Sequence, residues 1–323
     1  MIETGQATAR QHSRRSIPYG ARESRWRAPG GADVRRIDWG EGSATRGSIL
    51  FLPGRGDFYE KYLESLGEWH AAGWRVTASD WRGQAGSGRL GIDPLTGHVA
   101  DFADWVRDLA ALWVEWKATT PAPHVLIGHS MGGHLALRAV VEGKVDPTAL
   151  VLSAPMLGFV GQPLPPAVMH TIARVMRALG DPRRPAWKWS EKPGVLPTTR
   201  AALLTHDEDR YEDEIAWRET RPELAMGPGS WGWVERAMAS MRALAAPGVL
   251  EKVDLPVLLI ATRVDRLVSF AAIERAAERL PHAELVAFGE EARHEILREA
   301  DPVRDRAMET IADFLAREAP APR

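Results

Sequence analysis

The sequence predicts an α/β fold, a mostly parallel sheet with helices on both faces, and three observations carry that reading. From about residue 23, short apolar runs alternate with amphipathic helical patterns, the order in which parallel strands and their crossover helices follow one another. Several runs are unbroken Val, Ile and Leu, as in Val257-Leu258-Leu259-Ile260, which suits strands buried on both faces. The run Val125-Leu126-Ile127 stops at Gly128-His129-Ser130-Met131-Gly132 and passes into a helix-forming stretch from Gly133: the strand, turn and helix of a G-x-S-x-G nucleophile elbow.

In chain order, the strands are expected at Ser24–Ala28, Asp33–Trp39, Ser48–Leu52, Trp74–Ser79, His124–Gly128, Leu150–Ser153, Pro256–Ala261 and Glu284–Phe288. Helical periodicity falls between them at Tyr59–Ala72, Val99–Lys117, Met131–Glu142, Phe270–Leu280 and Pro302–Arg317. Between Ala154 and about Val253 the strand rhythm stops, and helical patterns at Pro166–Leu179, Asp207–Arg218 and Trp231–Leu244 replace it. Links rich in Pro and Gly, at residues 161–166 and 227–229, punctuate this stretch. It reads as a helical cap, residues 158–249, inserted into a core of residues 23–157 and 250–317. Residues 1–22 are polar and carry Arg10, Arg14, Arg15 and Arg22. They are expected to form a basic mobile tail, solvated or in contact with anionic lipid.

Composition narrows the function. At 323 residues, 45% hydrophobic and 26% charged, the chain has an ordinary globular composition. A net charge of -2, with no basic stripe interleaved with aromatics, argues against nucleic acid as a partner. The absence of cysteine excludes disulfides, thiolate nucleophiles and Cys-ligated zinc, and suits a reducing compartment. No apolar run reaches the ~18 residues of a membrane span, and the N-terminus has no secretory apolar region. A cytoplasmic protein is expected. No metal-binding or nucleotide-binding motif is present, and neither a metal nor a cofactor is expected.

A serine hydroxyl needs a base to take its proton and a carboxylate to orient that base. Asp265 lies just past the run Val257–Thr262, at the carboxyl edge of the sheet where sites form in open α/β folds. After the next helix and strand, His294 arrives at the same edge. Ser130, Asp265 and His294 are therefore the candidate nucleophile, acid and base, and their chain order is that of α/β-hydrolases rather than of chymotrypsin or subtilisin. The expected oxyanion donors are the backbone N–H groups of Met131, after the nucleophile, and of Arg55, in the glycine-flanked turn Pro53-Gly54-Arg55-Gly56-Asp57. The remaining histidines read as packing or surface groups.

With these residues in view, the chain resembles the serine hydrolases of the monoglyceride lipase and bacterial lysophospholipase L2 group. The resemblance rests on residues 52–62 (Leu-Pro-Gly-Arg-Gly-Asp-Phe-Tyr-Glu-Lys-Tyr), residues 80–87 (Asp-Trp-Arg-Gly-Gln-Ala-Gly-Ser), the elbow, and Arg293-His294-Glu295-Ile296-Leu297. It implies an eight-stranded α/β-hydrolase core, a helical cap after the sixth strand, and hydrolysis of monoacyl lipid esters such as lysophospholipid or monoacylglycerol; peripheral membrane contact is a separate expectation, from the basic tail. Pro53-Gly54 stands where monoglyceride lipases have His-Gly, as in the lysophospholipase-like members. Met156, Leu157, Phe159, Trp187, Trp217 and Trp231, together with Trp189 and Trp233, supply apolar surface that could line an acyl pocket or simply pack the cap. The same fold also serves peptidases, thioesterases, small-ester esterases and perhydrolases, and could serve as a non-catalytic binding module.

Overall fold

In the computed structural model, residues 14–40, 46–161, 164–187 and 198–322 are described. Eight strands form one sheet in the order β1-β2-β4-β3-β5-β6-β7-β8: β1 Ala21–Arg27, β2 Asp33–Trp39, β3 Gly47–Leu52, β4 Trp74–Ser79, β5 His124–His129, β6 Ala149–Ser153, β7 Val257–Thr262 and β8 Ala283–Phe288. Strand β2 runs antiparallel to both β1 and β4, and the other pairings are parallel. All eight expected strands are present. The first starts three residues early, because the β1–β2 hairpin pairs in full from Arg27↔Asp33 to Ala21↔Trp39.

The unbroken apolar runs have a simple cause. Along β3, Ile49 and Phe51 join one core cluster while Leu50 and Leu52 join the other, as alternation across a pleated strand requires. The helices are α1 Leu63–Ala71, α2 Phe102–Thr119, α3 Met131–Val141, α4 Pro166–Ala178, α5 Thr198–Leu204, α6 Glu208–Thr220, α7 Trp231–Leu244, α8 Phe270–Arg279 and α9 Asp301–Glu318. Trp105 and Trp113 of α2, Leu135 of α3 and Ile273 of α8 cover one face, and Leu66 of α1 with Ile311 and Phe314 of α9 cover the other. Side chains fix where helices begin. Asp101 accepts from the Ala103 amide at 2.9 Å ahead of α2, and Ser230 from the Trp233 amide at 3.0 Å ahead of α7. Such caps contribute about 1 kcal/mol each.

Helices α4 to α7 all fall between β6 and β7. Helix α5 has no counterpart in the expected elements, being too short to show a helical period. Chain order reverses on either side of β3, so the loops after β3 and β5 flank a topological switch point.

The basic tail needs correction. Residues 1–13 lie outside the described residues, but residues 14–22 are held in place. Arg14 and Arg15 pair with Asp213 of α6 at 2.5 and 2.6 Å, Ile17 packs on the core, and Ala21 and Arg22 belong to β1. One carboxylate, 199 and 198 residues away in sequence from Arg14 and Arg15, neutralises charge that looks unpaired along the chain.

Candidate active site

Ser130 occupies the turn between β5 and α3 with φ 51° and ψ -117°, a strained conformation for a side-chain-bearing residue, worth about 1–3 kcal/mol. The turn closes so tightly that a Cβ on Gly132 would lie 2.3 Å from the Leu52 carbonyl oxygen, and one on Gly128 would lie 2.6 Å from the Gly133 nitrogen. Both obstacles are backbone. Gly132→Ala is accordingly expected to destabilise the fold by at least ~3 kcal/mol, and a urea unfolding midpoint equal to wild type would refute that reading of the turn. The strained residue is tied down on both sides: its N–H donates to the Ser153 carbonyl at 2.9 Å, and its carbonyl accepts from the His134 and Met156 amides, each at 3.0 Å.

The structure brings the three residues chosen on chain order together. His294 Nδ1 lies 2.8 Å from Asp265 Oδ2, and His294 Nε2 lies 3.0 Å from Ser130 Oγ. With Nδ1–H donated to the carboxylate, Nε2 is left to accept from the serine hydroxyl. Asp265 Oδ1 is satisfied by the Leu267 and Val268 amides at 2.8 and 3.0 Å, which fixes the carboxyl plane. Burial opposes charge on both groups, but each is the other's counter-ion. The imidazole is held above its ordinary value by Asp265, with Glu295 and Asp57 adding to it. The carboxyl is held below its own by His294 and the two amides.

His129 packs beneath the elbow with its ring centroid 4.9 Å from that of His294. Burial first, then the neighbouring His294, push it down to about 4. It is neutral at physiological pH and leaves His294 free to take a proton.

The β3 turn lies against the elbow: a Cβ on Gly54 would sit 3.1 Å from the Ser130 Cβ. The amides flanking Arg55 are held by side chains, Gly54 N–H by Asp57 Oδ2 at 3.2 Å and Gly56 N–H by Gln84 Oε1 at 2.8 Å. Gln84 also points its Nε2 at the Met131 sulfur, 3.9 Å away, so one side chain braces both segments. Met131 opens α3, and first-turn N–H groups have no acceptor within their own helix. The Arg55 guanidinium donates to the Gly227 carbonyl at 2.8 Å and lies 5.2 and 4.9 Å from the ring centroids of Trp187 and Trp233.

Of the expected lining residues, Met156 is buried in the cluster that holds Met131, and Leu157, Phe159 and Trp231 pack against it. Trp187 stands 45% exposed. Trp217 is elsewhere: it is buried in the opposite cluster, donates its indole N–H to the Arg14 carbonyl at 2.8 Å, and lies under Arg221. Its role is packing, because the docked N-terminal segment covers the face that would otherwise be open. Trp189 lies outside the described residues.

Two features were not anticipated. The C-terminal end of α5 supports the histidine loop, with the Glu295 amide donating to the Leu204 carbonyl at 2.8 Å. Beneath the β3 turn lies a buried ion cluster centred on Lys61. In sequence, Lys61 belongs to the 52–62 segment that carries the resemblance, but nothing there points to its distant carboxylate partners.

A sheet of this order, with a strained serine between β5 and α3, defines an α/β-hydrolase. The pattern of the serine aminopeptidase S33 hydrolase family matches residues 43–301, and the chain belongs to that family. It is 32% identical over 289 residues to lysophospholipase L2 of Escherichia coli K12, covering 83% of this chain and 80% of that one. It is 24% identical over 180 residues to a monoacylglycerol lipase of Mycolicibacterium smegmatis, covering 55% of this chain and 62% of that one. Among solved structures, monoglyceride lipase of Saccharomyces cerevisiae superposes with a TM-score of 0.72 at 19% identity, covering 94% and 98% of the two chains. A carboxyl esterase of Bacillus coagulans gives 0.71 at 17%, covering 93% and 99%. The chain is therefore an enzyme, an esterase- or lipase-type hydrolase of the serine-hydrolase class.

Proposed function

We propose that the enzyme hydrolyses monoacyl lipid esters, lysophospholipid or monoacylglycerol, through an acyl-enzyme on Ser130. The hydrogen-bonded series Ser130–His294–Asp265 carries the proposal, and similarity to a lysophospholipase and a monoacylglycerol lipase supports the substrate class. Ser130 Oγ attacks the acyl carbon as His294 Nε2 takes its proton. The oxyanion is received by the N–H groups of Arg55 and Met131. Collapse breaks the ester bond, and the leaving alkoxide takes the proton from His294. Water then repeats the sequence on the acyl-serine and releases the fatty acid.

A turnover profile over p-nitrophenyl esters of rising chain length, with lysophosphatidylcholine, monoacylglycerol and aminoacyl amides alongside, tests this. The highest kcat/KM is expected for the monoacyl lipids. Because the family takes its description from an aminopeptidase, faster cleavage of aminoacyl amides would replace the lipid reading with a peptidase one.

We also infer contact with a lipid surface, carried by α4 rather than by the N-terminal arginines. Val168, Ile172, Val175 and Leu179 recur at three- and four-residue spacing and are all exposed, with Val160 and Leu164 exposed just upstream. The opposite face, His170 and Ala173, is buried against α7. Helix α4 has no Asp or Glu and carries Arg174, while Arg177 is paired with Glu235 of α7 at 3.2 Å; an apolar face with no acidic residue suits a helix that lies in an anionic interface. Among the described residues, no helix is long and apolar enough to cross a membrane. V168D/V175D is expected to weaken sedimentation with phosphatidylglycerol vesicles tenfold or more while leaving p-nitrophenyl acetate turnover unchanged. Unchanged vesicle binding would remove this surface from consideration.

A further inference from the structure

We propose that Lys61 is a positioning residue through which the oxyanion turn, the histidine loop and the helical insertion hold one another in register, an inference that rests on the hydrolytic reading of Ser130. Its side chain is 1% exposed, and its ammonium lies 2.9 Å from Asp57 Oδ1, 2.9 Å from Glu214 Oε2 and 2.5 Å from Glu295 Oε1.

Each carboxylate belongs to a different part of the site. Asp57 closes the β3 turn, its other oxygen accepting from the Gly54 amide and from the Tyr62 hydroxyl at 2.7 Å. Glu295 follows His294 directly, and its amide is held by the end of α5. Glu214 lies on α6 of the insertion and is also paired with Arg200 and Arg218, each at 2.6 Å. Arg298 reaches both Glu214 and Glu295. An ammonium has three N–H donors and no acceptor; that of Lys61 hydrogen-bonds to Glu295 and ion-pairs with Asp57 and Glu214. Drawing one carboxylate away strips the buried ammonium of part of its compensating charge, which is costly where water does not reach. A displacement of α6 therefore reaches the turn that carries the oxyanion donor and the loop that carries the base.

Asp57 and Glu214 both ion-pair with Lys61, and a double-mutant cycle between them reads the coupling. D57N and E214Q keep the hydrogen-bonding shapes and remove one charge each. With p-nitrophenyl acetate, which makes little demand on an acyl pocket, each single variant is expected to lower kcat at least fivefold with KM within twofold. The double variant should fall no further than about twofold below the weaker single one, because either change already breaks the shared clamp. Losses that multiply, or changes confined to KM, would overturn the proposal; a purely structural ion pair would lower the melting temperature and leave the kcat cycle additive. If the double variant is unfolded at the assay temperature, E214D takes the place of E214Q, with the same two outcomes. Wild-type protein without Ser130-dependent turnover would instead refute the hydrolytic reading itself, whereas normal wild-type turnover with multiplying losses refutes only the role of Lys61.

Discussion

Replacing Ser130 with alanine is expected to reduce ester turnover by on the order of 10⁵- to 10⁶-fold and to abolish labelling by a fluorophosphonate. In the proposed mechanism the hydroxyl oxygen is the atom that bonds to the acyl carbon. Its loss removes the covalent route while leaving the amides of Arg55 and Met131 and whatever binding the pocket supplies. Those survivors explain why residual catalysis of about 10³- to 10⁴-fold over water is typical when a triad member is removed. The variant should fold, because Ser130 is held by backbone hydrogen bonds from its own N–H and to its own carbonyl, which alanine retains. Persistent stoichiometric labelling of the folded variant would show that another residue is the nucleophile.

The second large effect is expected for Asp265→Asn, a loss of about 10⁴-fold in kcat. Asparagine can present an N–H toward His294 Nδ1, which stabilises the tautomer with its proton on Nε2 and leaves nothing to accept from Ser130. The variant should also change the pH profile. The proposed mechanism needs neutral His294, and the folded protein holds that imidazole above its ordinary value. The wild-type acid limb of kcat/KM should therefore lie above that value, with activity lost as pH falls through it. Removing the Asp265 charge takes away the largest influence that raises it, so the residual activity of the variant should extend to lower pH. Near-wild-type turnover, or an acid limb that stays in place, would remove Asp265 from the role of orienting acid.

What could be read from the sequence followed from how local each signal is. Strands β3, β5, β6 and β7 are legible because burial on both faces leaves no room for polar residues in the run. The elbow is legible because two glycines and a serine at fixed spacing answer one steric problem. Asp265 and His294 could be located because each follows a recognisable strand, and the sheet brings the ends of those strands together.

The parts that could not be read depend on distant partners. Arg14 and Arg15 look like a free basic tail until Asp213 is folded against them. Lys61 and Glu295 are 234 residues apart, and neither sits in a pattern that announces the other. Helix α5 spans seven residues, less than two full turns, so its apolar positions show no period. Trp217 illustrates a different limit, since spacing alone does not separate a tryptophan that lines a cavity from one that seals the core.

The geometry of residue 130 sets two demands against each other. Glycine would accept its dihedral angles without penalty, so the substitution that most relaxes the polypeptide there is also one that discards the hydroxyl oxygen on which the proposed chemistry depends. Alanine discards the oxygen and keeps the tension. No replacement gives both repose and reactivity, and screening variants of this enzyme for heat tolerance alone would drift toward inactive proteins at this position.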